Sequence, residues 1–451
     1  MAPGLNPDAL PGPLARELRR RVSDVQRADR LPALSVAVRH PRRGTSSWGA
    51  GADLPAPDVQ FRIGSITKTF TAVLVLQLRD DGLLRLDDPL STHLPGAGGG
   101  VGDARVRDLL GHVSGLTREP RGPFWEASPG VAAAQLLDRL APEDLVLPAG
   151  RARHYSNLAF GLLGLLVERL REGAFAEVLR ERLLLPLGLA DTTWLSRAPH
   201  ATGFRVHPFA DEIRPEPATD TAAMGPAGQL WSTPGDLVRW GAFLADPDPR
   251  VLAPATVEEM CAPVSIRDPA QWTSGGGLGL QLWRRACGAG ERILVGHGGS
   301  MPGFVAGLVV DRGTGVSAAA SGNAWFGSDL PRLAADLVVR VLEEDPPEAA
   351  PWRPVATPPR HAELLGAWFY RGVELIAYSS AGRLHLAAPA QVRGAGAEAF
   401  EQVGPDRFRG VSGDDLGEEL RVIRDEVGRP VVLDLATWLL VRDPHDPRAG
   451  P

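Results

Sequence analysis

Between residues 343 and 360 the chain reads EEDPPEAAPWRPVATPPR, with six prolines in eighteen residues. Each proline removes a backbone donor and locks φ, so neither a helix interior nor a paired strand can run through the stretch. It reads as an extended linker. The 451 residues must therefore form at least two bodies, each burying its own core. The expected division is a large domain over 1–346, a linker over 347–360 and a small domain over 361–451.

The two parts differ in texture. In the first, ALSVAVRH (33–40) alternates as a strand and TSSWGAG (45–51) supplies a partner across a Pro/Arg/Gly turn. SITKTFTAVLVLQLRDDG (65–82) is apolar through its middle and stops at Gly82, which predicts a buried helix. From about 85 to 290 the signals are mostly helical, as in LAFGLLGLLVERLREG (158–173) and TPGDLVRWGAFLAD (233–246). FVAGLVVDRGTGVSAAASGN (304–323) reads as a hairpin and SDLPRLAADLVVRVLEE (328–344) as a closing helix. Strands at both ends with helices between predict an α/β (α+β) domain. Its antiparallel sheet is assembled from distant segments, flanked by helices, and interrupted by a helical subdomain. Beyond the linker, short alternating runs such as GAWFYRGVELIAYSS and ELRVIRDEVGRPVVLDL predict a small antiparallel β-barrel.

Composition narrows the function classes. Hydrophobic residues make up 44% and charged residues 23%, with a net charge of −6. The one basic run, RELRRRV at 16–22, reads as the polar face of an amphipathic helix, so a nucleic-acid partner is not expected. No stretch reaches the apolar length of a membrane span, and the N-terminal segment has no secretory h-region. The two cysteines, Cys261 and Cys287, have no metal-ligand spacing and read as free thiols. The expectation is a cytoplasmic protein with no membrane partner, no metal and no organic cofactor.

Of 48 cationic side chains, 47 are arginine and one is Lys68. Guanidinium keeps its proton at any working pH, whereas a desolvated ammonium can lose one and act as a base. Lys68 is therefore a candidate catalytic residue. Ser65 precedes it by three residues, on the same helix face, as a nucleophile beside its base. Ser65 could equally be a helix cap. In RHYSNLAF, Tyr155 and Asn157 stand two apart before a second apolar helix; a phenol can relay a proton and an amide can bind a substrate carbonyl. In VGHGGSMPGF, His297 precedes Gly298, Gly299 and Ser300; the glycines would let backbone N–H groups approach a ligand. Each of the last two segments, taken singly, would be an ordinary polar loop or turn.

Ser-x-x-Lys, Tyr-x-Asn and His-x-Gly in this order resemble the serine β-lactamase and penicillin-binding-protein superfamily, class-C-like members above all. The likeness runs over about 10–345 and includes RVRDLLGHVSGL (105–116) and GPAGQLWSTPGDLVRW (225–240). It implies that Ser65 is the acylated nucleophile, Lys68 its activator and Tyr155 the proton shuttle. It implies that Asn157 orients the acyl chain and His297 supports Tyr155. The backbone N–H groups of Ser65 and Ser300 would form the oxyanion hole. Trp231 is a candidate wall of the acyl pocket; an ordinary core tryptophan is the plainer reading. Arg442, near the C-terminus, could reach toward the site, but a surface arginine is the better expectation and it is not assigned a role.

The third motif departs from the family, where it usually begins with lysine, so recognition of a substrate carboxylate is in doubt. Histidine there resembles the esterase, D-amino-peptidase and thioesterase branches. The two-domain layout is most similar to penicillin-binding-protein-type thioesterases, which pair this domain with a lipocalin-like barrel. GAW at 366–368 resembles a lipocalin-type first strand. That resemblance implies a peptide cyclase of nonribosomal peptide biosynthesis. It would take a peptidyl thioester from a carrier-protein domain onto Ser65 and release a macrolactam, with a D-residue or glycine favoured at the peptide C-terminus. The alternatives are an intracellular serine hydrolase (esterase or D-amino-acid amidase/peptidase) using water, and a catalytically dead binding protein.

Overall fold

In a computed structural model of the chain, residues 9–51, 55–324, 327–348, 352–394 and 397–446 are described. The chain divides into two compact units, 1–348 and 349–451. Within the proline-rich stretch, 349–351 lie outside the described residues, and 352–358 carry no helix or strand.

The first unit is built on an eight-stranded sheet. Helix α1 (Gly12–Ala28) turns Leu14, Ala15, Leu18 and Val22 inward and leaves its arginines outside. Strands β1 (Ala33–His40) and β2 (Gly44–Gly51) form an antiparallel pair, as the alternation predicted. Helix α2 (Thr67–Asp80) follows a single 3-10 turn at Gly64–Ile66, so Ser65 sits on that turn, just ahead of the helix. Helices α3 (Asn157–Arg171) and α4 (Pro234–Ala245) come next. Four strands then follow: β3 (Ser265–Ile266), β4 (Ser274–Gly276), β5 (Gln281–Cys287) and β6 (Gly290–Met301). The hairpin of β7 (Phe304–Asp311) and β8 (Val316–Gly322) precedes the closing helix α5 (Leu330–Glu344).

The sheet order is β2-β1-β8-β7-β6-β5-β4-β3, antiparallel at every pairing. N-terminal β1 lies against C-terminal β8, so the sheet closes only when both ends of the unit are made. It is buried on both faces. Val36, Val38 and Val309 belong to one core with α1 and α5; Ala37, Leu308 and Val310 belong to the other with α2, α3 and α4. The stretch expected to be mostly helical thus ends in three strands, β3 to β5, and β6 begins at its edge. Those strands are short, glycine-rich or half-exposed, and carry little apolar alternation.

Residues 366–441 of the second unit form a closed barrel of eight strands, each paired antiparallel with its neighbour in chain order. Gly366–Tyr370 opens it and pairs with Trp438–Val441 to close it. This is the up-and-down topology of lipocalin-type barrels. Trp368, Phe400 and Phe408, with aliphatic neighbours, fill the interior. Arg442 is spent within this unit: its guanidinium stacks 3.8 Å above the Trp368 ring and donates to the carbonyls of Leu365, Ala367 and Glu363. No helix among the described residues is long and apolar enough to cross a membrane.

Candidate active site

The 3-10 turn that carries Ser65 is held against β6 by two glycines. A Cβ on Gly64, whose φ is +52°, would lie 2.5 Å from the Ser300 backbone nitrogen. A Cβ on Gly299 would lie 1.8 Å from the Ile63 carbonyl and 3.2 Å from the Ser65 nitrogen. The backbones of Ser65 and Ser300 are therefore brought together by missing side chains on both sides. Gly298 serves packing as well, since its Cβ would strike the Pro331 ring at 2.7 Å. His297, Gly298, Gly299 and Ser300 all lie inside β6, where the sequence had suggested a turn ahead of the strands.

Lys68, on helix α2, is completely buried, with its Nζ 5.0 Å from the centre of the Tyr155 ring and 5.6 Å from that of Phe160. Its Nζ donates to Ser65 Oγ at 3.0 Å and to the Ala227 carbonyl at 2.6 Å. Burial pulls the ammonium down to about 7, while Glu126 and Glu119 pull it back up. A substantial share of Lys68 is thus a neutral amine near neutral pH, able to take the Ser65 proton. Burial raises the Tyr155 phenol far above its ordinary value, and the Ser65 side chain pulls it partly back down. It keeps its proton, so it can pass one along but cannot stand as a resident phenolate.

Tyr155 is propped from behind. The His112 ring lies 4.3 Å from the phenol ring, and its Nδ1 accepts from the Ser156 backbone N–H at 3.1 Å. Ser156 caps α3 by accepting from the Ala159 N–H, and donates to the Thr117 carbonyl. His297 is 1% exposed, with its ring 6.2 Å from Tyr155. Burial, and then the Lys68 charge, lower it to about 3, so it is neutral. Its Nδ1 lies 2.5 Å from the Gly298 carbonyl, which can only accept. The proton is therefore assigned to Nδ1, leaving Nε2 as an acceptor.

Asn157 does not present the group its motif suggested. Its Nδ2 donates to both oxygens of Glu119, at 3.0 and 2.9 Å, and its Oδ1 is buried without a partner. An ionised carboxylate only accepts, so the amide orientation is fixed by Glu119. Asn157 therefore offers an oxygen, where binding a substrate carbonyl would need its N–H. Trp231 is also placed elsewhere than proposed. It pairs with Arg62, packs between Phe61 and Phe304, is 3% exposed, and does not line the cavity. Its neighbours in GQLWST turn it into the core.

A cavity of about 860 Å³ opens over Ser65 and is lined by Tyr155, Asn157, His297, Gly298, Gly299 and Ser300. Sequence reasoning missed its charged wall: Arg118, Glu119, Glu126, Arg153 and Arg267 also line it. These residues sit on irregular loops, where no periodicity marks them. The segment GHVSGL, noticed only as a supporting likeness, holds the His112 prop. Among the described residues no three His, Cys, Asp or Glu side chains gather as a metal-ligand set.

A family model described as Beta-lactamase matches residues 18–343. The chain belongs to the beta-lactamase family. Its members are serine hydrolases and acyl-transferases. A second model, a domain of unknown function, matches 357–442, the barrel. Penicillin-binding protein 4 of Amycolatopsis lactamdurans is 32% identical over 70% of this chain and 87% of its own length. Beta-lactamase-like protein 2 of Dictyostelium discoideum is 29% identical over 46% of this chain, and that match spans only 40% of the relative. Among solved structures, a D-stereospecific amidohydrolase from Streptomyces sp. has a TM-score of 0.62 and 26% identity. It covers 73% of this chain and 98% of its own. SurE with D-Leu has a TM-score of 0.57 and 25% identity, and covers 96% of this chain and 100% of its own.

Proposed function

We propose that this family member is a serine acyltransferase that moves the acyl group of a peptidyl thioester onto Ser65 and releases it to the peptide's own N-terminal amine as a macrolactam. The observation that carries the acyl-transfer step is Lys68: a fully buried amine, drawn down to about 7 and 3.0 Å from Ser65 Oγ. Lys68 takes the hydroxyl proton as Oγ attacks the thioester carbonyl. The oxyanion forms against the N–H groups of Ser65 and Ser300. The C–S bond then breaks, and the thiolate leaves with a proton relayed through Tyr155. In the second half the amine attacks the acyl carbon, the C–Oγ bond breaks, and the amine's proton returns to Ser65 through the same pair.

Two observations favour a D-configured residue and a peptide-sized acyl group. Solved structures at 25–26% identity are described as a D-stereospecific amidohydrolase and as SurE with D-Leu, and the latter spans both units of this chain. The cavity of about 860 Å³ is large enough for several residues of a peptide. The carrier-protein domain of a peptide synthetase is the expected donor.

Water as the acceptor is the second reading, a D-amino-acid amidase or peptide hydrolase. It is favoured by the likeness to D-amino acid amidase from Ochrobactrum anthropi and to the unguisins hydrolase of Aspergillus campestris, each 26% identical. The deciding experiment is intact-mass analysis of products from a linear peptide thioester with a D-configured C-terminal residue and a free N-terminus, with Ser65→Ala as the blank. A product equal to the substrate minus the thiol supports cyclisation. The free acid supports the hydrolase. Equal turnover by Ser65→Ala removes both readings.

A further inference from the structure

The cavity lining at Glu119, Glu126 and Asn157, backed by the buried Trp125, has an unbalanced set of hydrogen-bonding groups. Glu119 is saturated: it accepts from Asn157 Nδ2, from Trp125 Nε1 at 2.7 Å and from Arg118 Nε at 3.1 Å. The next residue after Trp125, Glu126, is not. Among the described residues no side chain donates to it and no cation lies within 4.0 Å of its carboxylate. The charges of Lys68, Arg62 and Arg118 act on Glu126 only from beyond that distance. Arg118 pairs with Glu119, and Arg62 donates to the Thr219 carbonyl and Gln229 Oε1. Lys68 donates to Ser65 and Ala227. Asn157, 3% exposed, adds a second unpartnered acceptor in its Oδ1. The Trp125–Glu119–Asn157 chain of hydrogen bonds holds these two acceptors to one wall of the cavity that contains Ser65.

We propose that this wall is a subsite for a primary ammonium of the substrate, with Glu126 as its counter-ion and Asn157 Oδ1 as a second acceptor. A half-buried carboxylate with no cation within 4.0 Å, and a buried amide oxygen without a donor lining the same cavity, are satisfied by a ligand that brings positive charge and several N–H groups. A free peptide N-terminus has both. The subsite would select substrates whose amine is free and bring that amine into the Ser65 cavity. The inference rests on the acyl-transfer reading above, and makes Glu126 a specificity-determining residue of that reaction. It also gives Glu119 a positioning role, since Glu119 turns the Asn157 oxygen toward a donor.

The test uses two N-acetylcysteamine thioesters of one short linear peptide ending in D-Leu. One has a free N-terminus and the other is N-acetylated; thiol release reports acylation. The full-length protein is expected to favour the free amine by about tenfold or more in kcat/KM, the size of a charge-assisted hydrogen bond. Glu126→Gln brings the ratio toward one, and Glu126→Asp keeps it. Equal kcat/KM for the two thioesters in the wild type overturns the proposal, as does an unchanged ratio in Glu126→Gln. If Glu126→Gln does not fold, the wild-type pair decides. Ser65-dependent thiol release without preference removes the ammonium subsite and leaves the acyl-enzyme reading standing. No Ser65-dependent release removes that reading, and this inference with it.

Discussion

At the scale of single residues, the site depends on one amine being poorly solvated. Lys68 at about 7 and Glu126, raised by burial and by Glu119 to about 7, titrate in the same range and act on one another. The acylation rate should therefore rise with pH through an apparent pKa near 7 that belongs to the pair. The negative charge of Glu126 raises Lys68, so Glu126→Gln should move this limb to lower pH. Stopped-flow acylation between pH 5 and 9 checks the direction. Lys68→Arg should abolish acylation, because guanidinium cannot accept the proton. The same burial has a stability consequence. The folded chain holds Lys68 at about 7 against an unfolded value of 10.5, so between those values the unfolded state binds more protons. Stability from this group therefore rises with pH across that window. Lys68→Met should be more stable than wild type at pH 6 in urea melts, and the difference should shrink toward pH 10.

At the scale of elements, β6 and the 3-10 turn at 64–66 form one machine part, and their glycines decide whether they can touch. Gly299→Ala would drive a methyl into the Ile63 carbonyl, 1.8 Å from the ideal Cβ. Turn and strand would have to separate, moving the Ser300 N–H away from Ser65. The expected result is a loss of about a hundredfold in Ser65 labelling by a fluorophosphonate and a stability loss of about 1–3 kcal/mol. Gly290→Ala, on the same strand but with nothing within 4 Å of its Cβ, should change neither. Labelling rates and melting temperatures of the two variants settle it. These elements also show what the sequence could carry. Ser65, Lys68, Tyr155 and His297 were legible because unusual residue types stood at fixed spacing before apolar helices and strands. The strands β3 to β6 were not, since glycine-rich and half-exposed segments leave no alternation to read. Glu119 and Glu126 were invisible for a different reason. Their meaning comes from the loop that folds Trp125 over Glu119, a contact with no local signal. The polarity of the Asn157 amide is not legible in the sequence either, because it is set by Glu119, a hydrogen-bond partner 38 residues away.

At the scale of the molecule, two units with separate cores stand on either side of a proline-rich stretch. The large unit's cores draw on residues from Leu10 to Leu342, and the barrel's on Leu364 to Leu440. The sheet of the large unit joins β1 to β8, so it cannot form until nearly all of its own chain is present, whereas the barrel pairs each strand with the next. Local pairing and distant pairing should give the two units different folding speeds, with the barrel the faster relative to its size. Trp368 tests their separateness. It is fully buried in the barrel, donates to the Leu364 carbonyl at 2.7 Å and carries Arg442 on its face. Trp368→Ala should cost the barrel about 3–5 kcal/mol and leave the Arg442 guanidinium without its stacking partner. Calorimetry of the wild type should resolve two transitions. In Trp368→Ala one should fall sharply while the other holds its temperature, and fluorophosphonate labelling of Ser65 should survive heating past the first. A single transition that falls as a whole would mean that the units share stability across the proline-rich stretch.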